Sequence, residues 1–438
     1  MAEVRRRLPC RRARSGAQAA PVLLALLAAA CGERVADRQA AYVHVRDSAG
    51  IQIVENGQLA SVDTAWAVVD TTNRIRIGLV DGEKAYLFER ITAAIRLSDG
   101  RIAVADHGTA EIRFFDAEGR FLRATGGEGG GPGEYVNFSR FYPLPADSFL
   151  VVDWEGGRWH FAGPDGVAGW RREAPRHATP ASDMTRRYRL QETYPDGTML
   201  VSRAAPDDCP GTPDVPFLCV QRNHLLRVDR EGELLADFGV VPAGQQYSER
   251  IPSGSIARIS HFYGQGRWGV AGMRTWVAVG DRFEFRVHGP NGDLQRIVRV
   301  EEPPRPVGNP RYAASPERDA SSTAEERRSL SNMNAAMERA PKPPHYPFFD
   351  DAVADDVGNL WVRLTSYVSS SLGNGQRWAV IDSTGVLRGT VRTPSIRARG
   401  LGTYTAPQFG GDFILSATRD SFQVPVVDLY PLLRRDDG

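Results

Sequence analysis

The chain has 438 residues, 42% hydrophobic and 24% charged, with 44 Gly, 29 Pro and a formal net charge of +1. That apolar fraction is enough for a packed core and excludes global disorder, while near-neutral charge argues against a nucleic-acid binder, which would carry a strong basic excess. The length exceeds one ordinary module of ~100–200 residues, and the Gly and Pro content suits many turns between short strands.

Residues 1–30 read as an export signal. Arg5, Arg6, Arg7, Arg11, Arg12 and Arg14 make a basic n-region with Glu3 its only acid, and an apolar run follows from Ala19 to Ala30. The run is little more than half the ~20 residues that span a bilayer, so removal rather than permanent insertion is expected. It ends in Leu27-Ala28-Ala29-Ala30-Cys31-Gly32, which resembles the lipobox of bacterial lipoproteins, where small residues precede a Cys that is acylated and becomes the mature N-terminus. Ala28 stands where that motif usually has Leu, with Leu27 one place earlier. The alternative is an ordinary secretory signal cut near Ala30. Both imply export, to the periplasm or outer membrane, and lipidation would make Cys31 the sole membrane contact. Residues 31–48 then form a tether and residues 49–436 the folded body. Losing residues 1–30 removes six Arg and one Glu, which takes the net charge from +1 to −4.

Within the body a turn followed by alternating apolar residues recurs six times. The sharpest copy is Asp99-Gly100-Arg101-Ile102-Ala103-Val104-Ala105-Asp106; the others start near Asp147, Asp196, Thr275, Gly358 and Gly411. Short Val, Ile, Phe and Trp runs bounded by Gly and Asp are strand signals with turn punctuation. A strand–turn–strand pattern follows most copies, as in Ile112-Arg113-Phe114-Phe115-Asp116-Ala117-Glu118-Gly119-Arg120-Phe121, and again near Trp159, Leu225, Phe285 and Trp378. Each is a hairpin. One repeat is therefore a sheet of about four antiparallel strands that must stack on its neighbours. The fold class is all-β: a six-bladed β-propeller of four-stranded antiparallel blades. The last copy is incomplete, and the strand-like segments Trp66–Asp70 and Ile75–Ile77 have no blade of their own. They are expected to complete the final sheet and close the ring, removing exposed edges.

On Ala94–Ile102 running into Ala105-Asp106, on Ile112–Asp116, on the loop Gly126-Gly127-Glu128-Gly129-Gly130-Gly131-Pro132-Gly133-Glu134-Tyr135 and on Gly358–Val362, the chain resembles the bacterial six-bladed β-propeller lipoproteins of the NHL-repeat and TolB-like group. The resemblance implies the architecture and export; activities within that group differ widely.

Two departures interrupt the repeats. Cys209 and Cys219, in a turn-rich stretch of an exported chain, are expected to form a disulfide, with no Cys-x-x-Cys or His pair to support a metal site instead. Residues 302–345 fit the repeat poorly. Pro303, Pro304, Pro306 and Pro310 open this insertion and Pro341, Pro343, Pro344 and Pro347 close it. Between them Ser322-Thr323-Ala324-Glu325 resembles a capping box, and Leu330, Met333 and Met337 recur at helical spacing. The expectation is a short helix over one end of the ring, or else a lid or docking helix.

Catalytic signatures are missing. The Gly-rich loop lacks the Lys-Ser/Thr of a phosphate loop, no Gly-x-Ser-x-Gly or His-Glu-x-x-His occurs, and the eight His are scattered. No catalytic residue, metal ligand or cofactor is assigned, with a divalent cation such as calcium the one ion left open. Candidate channel-binding residues follow from repeat position: Asp106, His107, Asp153 and Trp154 directly after their apolar runs, Arg203 in the place of Asp106, and Arg363 one place earlier. An Asp at such a position commonly bonds its own turn backbone; the functional reading is a polar ring that takes a sugar, a peptide or a cation. The expectation is a monomeric, exported, lipid-anchored binding or scaffold module for a glycan, peptide or envelope protein, with no nucleic-acid role. The alternative is a propeller enzyme, a metal-dependent lactonase- or lyase-like hydrolase.

Overall fold

The computed structural model describes residues 43–62, 66–131, 133–153, 157–166, 168–173, 188–206, 209, 215–252, 254–259, 262–307, 323–365, 375–396 and 407–434, with only the backbone of 168–173 and 254–259. Residues 1–30, expected as an export signal, and Cys31 and Trp154 lie outside them. Met1–His44 and Val45–Gly438 are separate units, and the sheets belong to the second apart from the first two residues of β1.

The chain opens with β1 (Val43–Ser48), β2 (Ile51–Asn56), β3 (Ala67–Val69) and β4 (Ile75–Ile77). Sheet 1 follows as β5 (Ile91–Arg96), β6 (Ile102–Asp106), β7 (Glu111–Phe115) and β8 (Phe121–Gly126). Sheet 2 is β9 (Phe138–Leu144), β10 (Ser148–Asp153), β11 (Arg158–Ala162) and β12 (Ala168–Glu173). Sheet 3 holds β13 (Arg189–Thr193), β14 (Met199–Ala204), the long β15 (Phe217–Val228) and β16 (Leu234–Ile251), and β17 (Gly254–Ile259). Sheet 4 is β18 (Gly266–Ala271), β19 (Arg274–Val279), β20 (Glu284–His288) and β21 (Leu294–Val300), extended by β2 parallel to β21 and by β1 outside it. Helix α1 (Ala324–Arg339) precedes sheet 5, which is β22 (Phe349–Ala354), β23 (Leu360–Leu364), β24 (Gln376–Ile381) and β25 (Leu387–Thr393). Sheet 6 is β26 (Gln408–Phe409), β27 (Phe413–Arg419) and β28 (Pro425–Arg434), joined by β3 and β4, which both pair antiparallel with β28.

The six sequence copies are the second strands β6, β10, β14, β19, β23 and β27, and the hairpin copies are the third and fourth strands. Four strands per sheet describes sheets 1, 2 and 5. Sheets 3, 4 and 6 depart from it because an overlong hairpin recruits β17, an open edge takes up β1 and β2, and the short last sheet takes β3 and β4.

The second strands carry consecutive apolar residues because both faces are covered. β6 is buried throughout, and Ala103, Ala105 and Phe114 of sheet 1 pack with Phe141, Phe149 and Val151 of sheet 2. Similar clusters join sheets 2 and 3, 3 and 4, 4 and 5 and 5 and 6. A further cluster sets Phe413, Leu415, Val427 and Leu429 of sheet 6, with Ile77 of β4, against Ala94, Val104 and Phe115 of sheet 1. The Asp116–Gly119 turn of sheet 1 is built tightly onto β4. Asp116 accepts hydrogen bonds from the amides of Glu118 and Arg120, and Gly119 has φ +83°, where any side chain would also meet Ile75 and Ile77 at 3.0 and 3.2 Å.

Sheet 3 carries an arm. β15 pairs with β14 only from Asn223 onward, so Phe217–Arg222 and their β16 partners run past the end of β14. Cys209 and Cys219 form the expected disulfide, with Cα atoms 5.1 Å apart and Cys219 two residues from the Phe217 end of β15. Helix α1 packs on this arm: Ala336, Met337 and Ala340 meet Tyr247 and Ile251, and Arg339 donates to Glu249 at 2.7 Å. Its capping box is Thr323 with Glu326, one residue later than the sequence pattern suggests. Burial falls on Ala336 and Met337, with Met333 partly covered, and Leu330 stays outside this cluster. Among the described residues no helix is long and apolar enough to cross a membrane.

Candidate functional site

All five described candidate residues lie where second strands finish, and two of them do the same structural work. The Asp106 carboxylate is fully buried and accepts hydrogen bonds from the amides of Glu89 at 3.0 Å, Arg90 at 2.8 Å and Gly108 at 3.1 Å. Asp153 accepts from the amides of Val136 and Asn137, both at 3.1 Å, at the same sequence offsets. Each faces a buried cationic or titratable partner seven residues on, Arg113 or His160, at 3.8 Å. In both sheets the first strand bulges opposite the Asp, and the bulge residue, Thr92 or Ser139, donates to the carbonyl of Ala105 or Val152. Both carboxylates thus hold the loop entering their sheet.

His107 serves as a clasp. Its Nδ1 lies 2.5 Å from the Phe138 carbonyl, to which it donates, so sheet 1 is tied to sheet 2. Arg203 donates to His224 Nδ1 at 3.0 Å, and His224 Nε2 donates to Asp237 at 2.7 Å. Burial opposes ionisation of Asp237, yet His224 and the Gly239 amide hold its carboxyl below the usual carboxylate range. This relay is internal to sheet 3, at the foot of the arm.

Sheet 5 inverts the pattern. Its first strand bulges between Phe349 and Asp351, so Asp350 occupies the place of Thr92 and Ser139. Here the carboxylate is on the first strand and the cation, Arg363, is on the second, with Arg363 Nε 2.5 Å from Asp350 Oδ1. Arg267 of sheet 4 donates to the Asp350 carbonyl at 2.9 Å and lies 3.6 Å from Asp351, whose side chain is fully buried. The corresponding bulge residue of sheet 3, Gln191, is saturated by Ser202 and the Trp268 indole.

At the junction of sheets 4 and 5, Asp350 keeps 39% of its side-chain surface accessible to solvent. Burial pushes its carboxyl above the usual range. Arg363 and Arg267 pull it back and the neighbouring Asp351 adds to the rise. Its Oδ2 takes no hydrogen bond among the described residues, and neither Nη of Arg363 gives one. A two-point Arg–carboxylate pair elsewhere shows what is omitted: Arg76 meets Asp428 through Nε–Oδ1 at 2.7 Å and Nη2–Oδ2 at 2.8 Å. Between α1 and β22 the half-buried Tyr346 ring packs 5.9 Å from Phe262, which precedes β18.

The structure therefore brings Arg363 into a charged cluster, engages Asp106, Asp153 and His107 in scaffold bonds, and keeps Arg203 in a separate relay. Sequence reasoning missed Arg267, Asp350 and Asp351. The available signal was the Asp350-Asp351 pair after Phe348-Phe349, two adjacent acids that none of the other first strands carries. Among the described residues no group of three His, Cys, Asp or Glu side chains is placed to hold a metal ion. The Gly-rich loop folds on itself: Glu134 accepts from the Gly131 amide, and the Tyr135 ring is buried beneath, its hydroxyl pushed up to about 12 by that burial.

A family model described as a 6-bladed beta-propeller matches residues 82–142, which span sheet 1, the Gly-rich loop and the start of sheet 2. No curated protein matches the chain. Among solved structures, a Bacteroides fragilis protein described as exported is 10% identical with a TM-score of 0.45, covering 88% of this chain and 100% of its own. A Bacteroides vulgatus protein is 10% identical at TM-score 0.45, over 85% of this chain and 100% of its own. The virginiamycin B lyase of Staphylococcus aureus is 9% identical at TM-score 0.36, over 82% and 99%. The stacked antiparallel sheets and the matched family model agree on a β-propeller as the fold of this protein.

Proposed function

We propose that this is an exported, lipid-anchored binding module: a six-bladed propeller closed by β3 and β4 against β28, which holds a glycan, peptide or protein partner of the cell envelope. The partner enters at the end where the second strands finish, in the recess between sheets 4 and 5. The observation that carries this is Asp350, a carboxyl 39% accessible to solvent whose Oδ2 takes no hydrogen bond among the described residues, beside Arg363, which bonds it through Nε alone among those residues. Among the described residues at this end, Asp106, His107 and Asp153 are held in scaffold bonds. A charged pair that departs from the repeat and stays incompletely bonded is what a site for a polar ligand requires. The arm, with α1 on it, runs past the same end of β14.

Two measurements test the proposal. Elemental analysis of purified protein is expected to show no stoichiometric divalent cation; such an ion would favour the metal-dependent hydrolase instead. Cys31→Ser is expected to abolish labelling by a fatty-acid analogue and to release the protein from membranes. Persistent membrane association of that variant would refute the anchor.

A further inference from the structure

The half-made pair in the recess selects among ligand chemistries. Arg363 presents two Nη groups that can only donate, and Asp350 presents Oδ2, which when ionised can only accept. A group that fills both demands at once must accept from the guanidinium and donate to the carboxylate. A hydroxyl does this with one atom, whereas a carboxylate or phosphate only accepts and an ammonium only donates. Arg267 is bound to the Asp350 carbonyl and faces Asp351, so it adds no spare charge that would favour an anion. We propose that the recess recognises a neutral polyhydroxylated ligand, a saccharide, with one hydroxyl inserted between Arg363 Nη and Asp350 Oδ2. This rests on the recess being the binding site.

Hydrogen bonds to charged groups differ from neutral ones by enough that losing one lowers affinity about 10- to 100-fold. The test uses the mature full-length protein in detergent and neutral oligosaccharides of glucose, xylose, mannose and N-acetylglucosamine, read by saturation-transfer NMR and calorimetry. At least one saccharide is expected to bind, with affinity falling about 10- to 100-fold in Arg363→Lys, which keeps the charge and loses the fork. Asp350→Asn, which preserves shape, is expected to weaken binding as well and stands in if the first variant does not fold. Arg76→Lys, at the closed pair with Asp428, is expected to leave binding unchanged. Saccharide binding that survives both recess variants, or no saccharide binding, overturns the proposal. Peptides that bind in place of sugars and depend on Arg363 overturn it while leaving the recess as the binding site. If neither class binds in an Arg363-dependent way, both readings fail.

Discussion

Sheets 1 and 2 and sheet 5 use the same bulged first strand for opposite ends. In sheets 1 and 2 the bulge residue is a hydroxyl tied to a carbonyl, and the acid sits on the second strand, where backbone amides and Arg113 or His160 surround it. In sheet 5 the acid moves to the bulge, Arg363 is the one side chain that hydrogen-bonds it among the described residues, and solvent reaches it. A fully hydrogen-bonded buried carboxylate is a structural joint; an incompletely bonded one in a recess is a demand that a ligand can meet. The difference between joint and site therefore lies in how completely the group is bonded, not in residue type.

The sharpest way to break this comparison is to remove a joint. Asp106→Ala strands three backbone amides and removes one of the two acids beside buried Arg113, which keeps Glu111 at 2.9 Å, and should destabilise the protein by about 3–5 kcal/mol through the unsatisfied amides, measured by urea unfolding. A loss under about 1 kcal/mol would mean the joint is dispensable. Met337→Ala comes next. It opens the contact between α1 and the arm at a cost of about 2–4 kcal/mol, to be read as faster proteolysis within 324–339 while the sheets stay folded. Ser139→Ala removes the bulge hydroxyl of sheet 2 and should cost about 1 kcal/mol in the same unfolding assay.

The smallest expected effect is at Asp350, and its sign is opposite. Its folded carboxyl titrates above its unfolded value, so the native state holds the proton to higher pH than the unfolded chain does. Stability from this group is thus greatest below the unfolded value near ~3.9 and declines as pH rises through the folded one. Asp350→Asn should leave stability at pH 7 unchanged or raised, with the difference from wild type closing as pH falls below about 4. Paired unfolding curves across that range check it; a clear destabilisation at pH 7 would make Asp350 a joint like Asp106.

Much of the fold was legible because strand and turn chemistry are local. Ile102–Asp106, Ser148–Asp153 and Leu360–Leu364 announce themselves by continuous apolar runs between Gly and Asp, and these runs are continuous because sheets pack on both faces. The site was less legible. Arg363 was reached by counting from Gly358, yet its partner Asp350 is 13 residues earlier across a bulge, and no alternation rule predicts which residue a bulge turns outward. Counting likewise set Arg203 beside Asp106, although its bonds run to His224 within its own sheet.

By itself the sequence determined that the chain is a series of short antiparallel sheets, that Cys209 and Cys219 are paired and that a capped helix interrupts the series near residue 323. These follow from side-chain periodicity, turn residues and spacing, which act over a few residues. Tertiary structure alone decided that Asp106 and Asp153 are fully bonded, that α1 lies on the arm of sheet 3 and that Arg363 meets Asp350 at an open recess. Those outcomes depend on how many backbone donors and charges converge on each carboxylate, and that number is set by bulges, register and neighbouring sheets rather than by the residue's own place in its repeat.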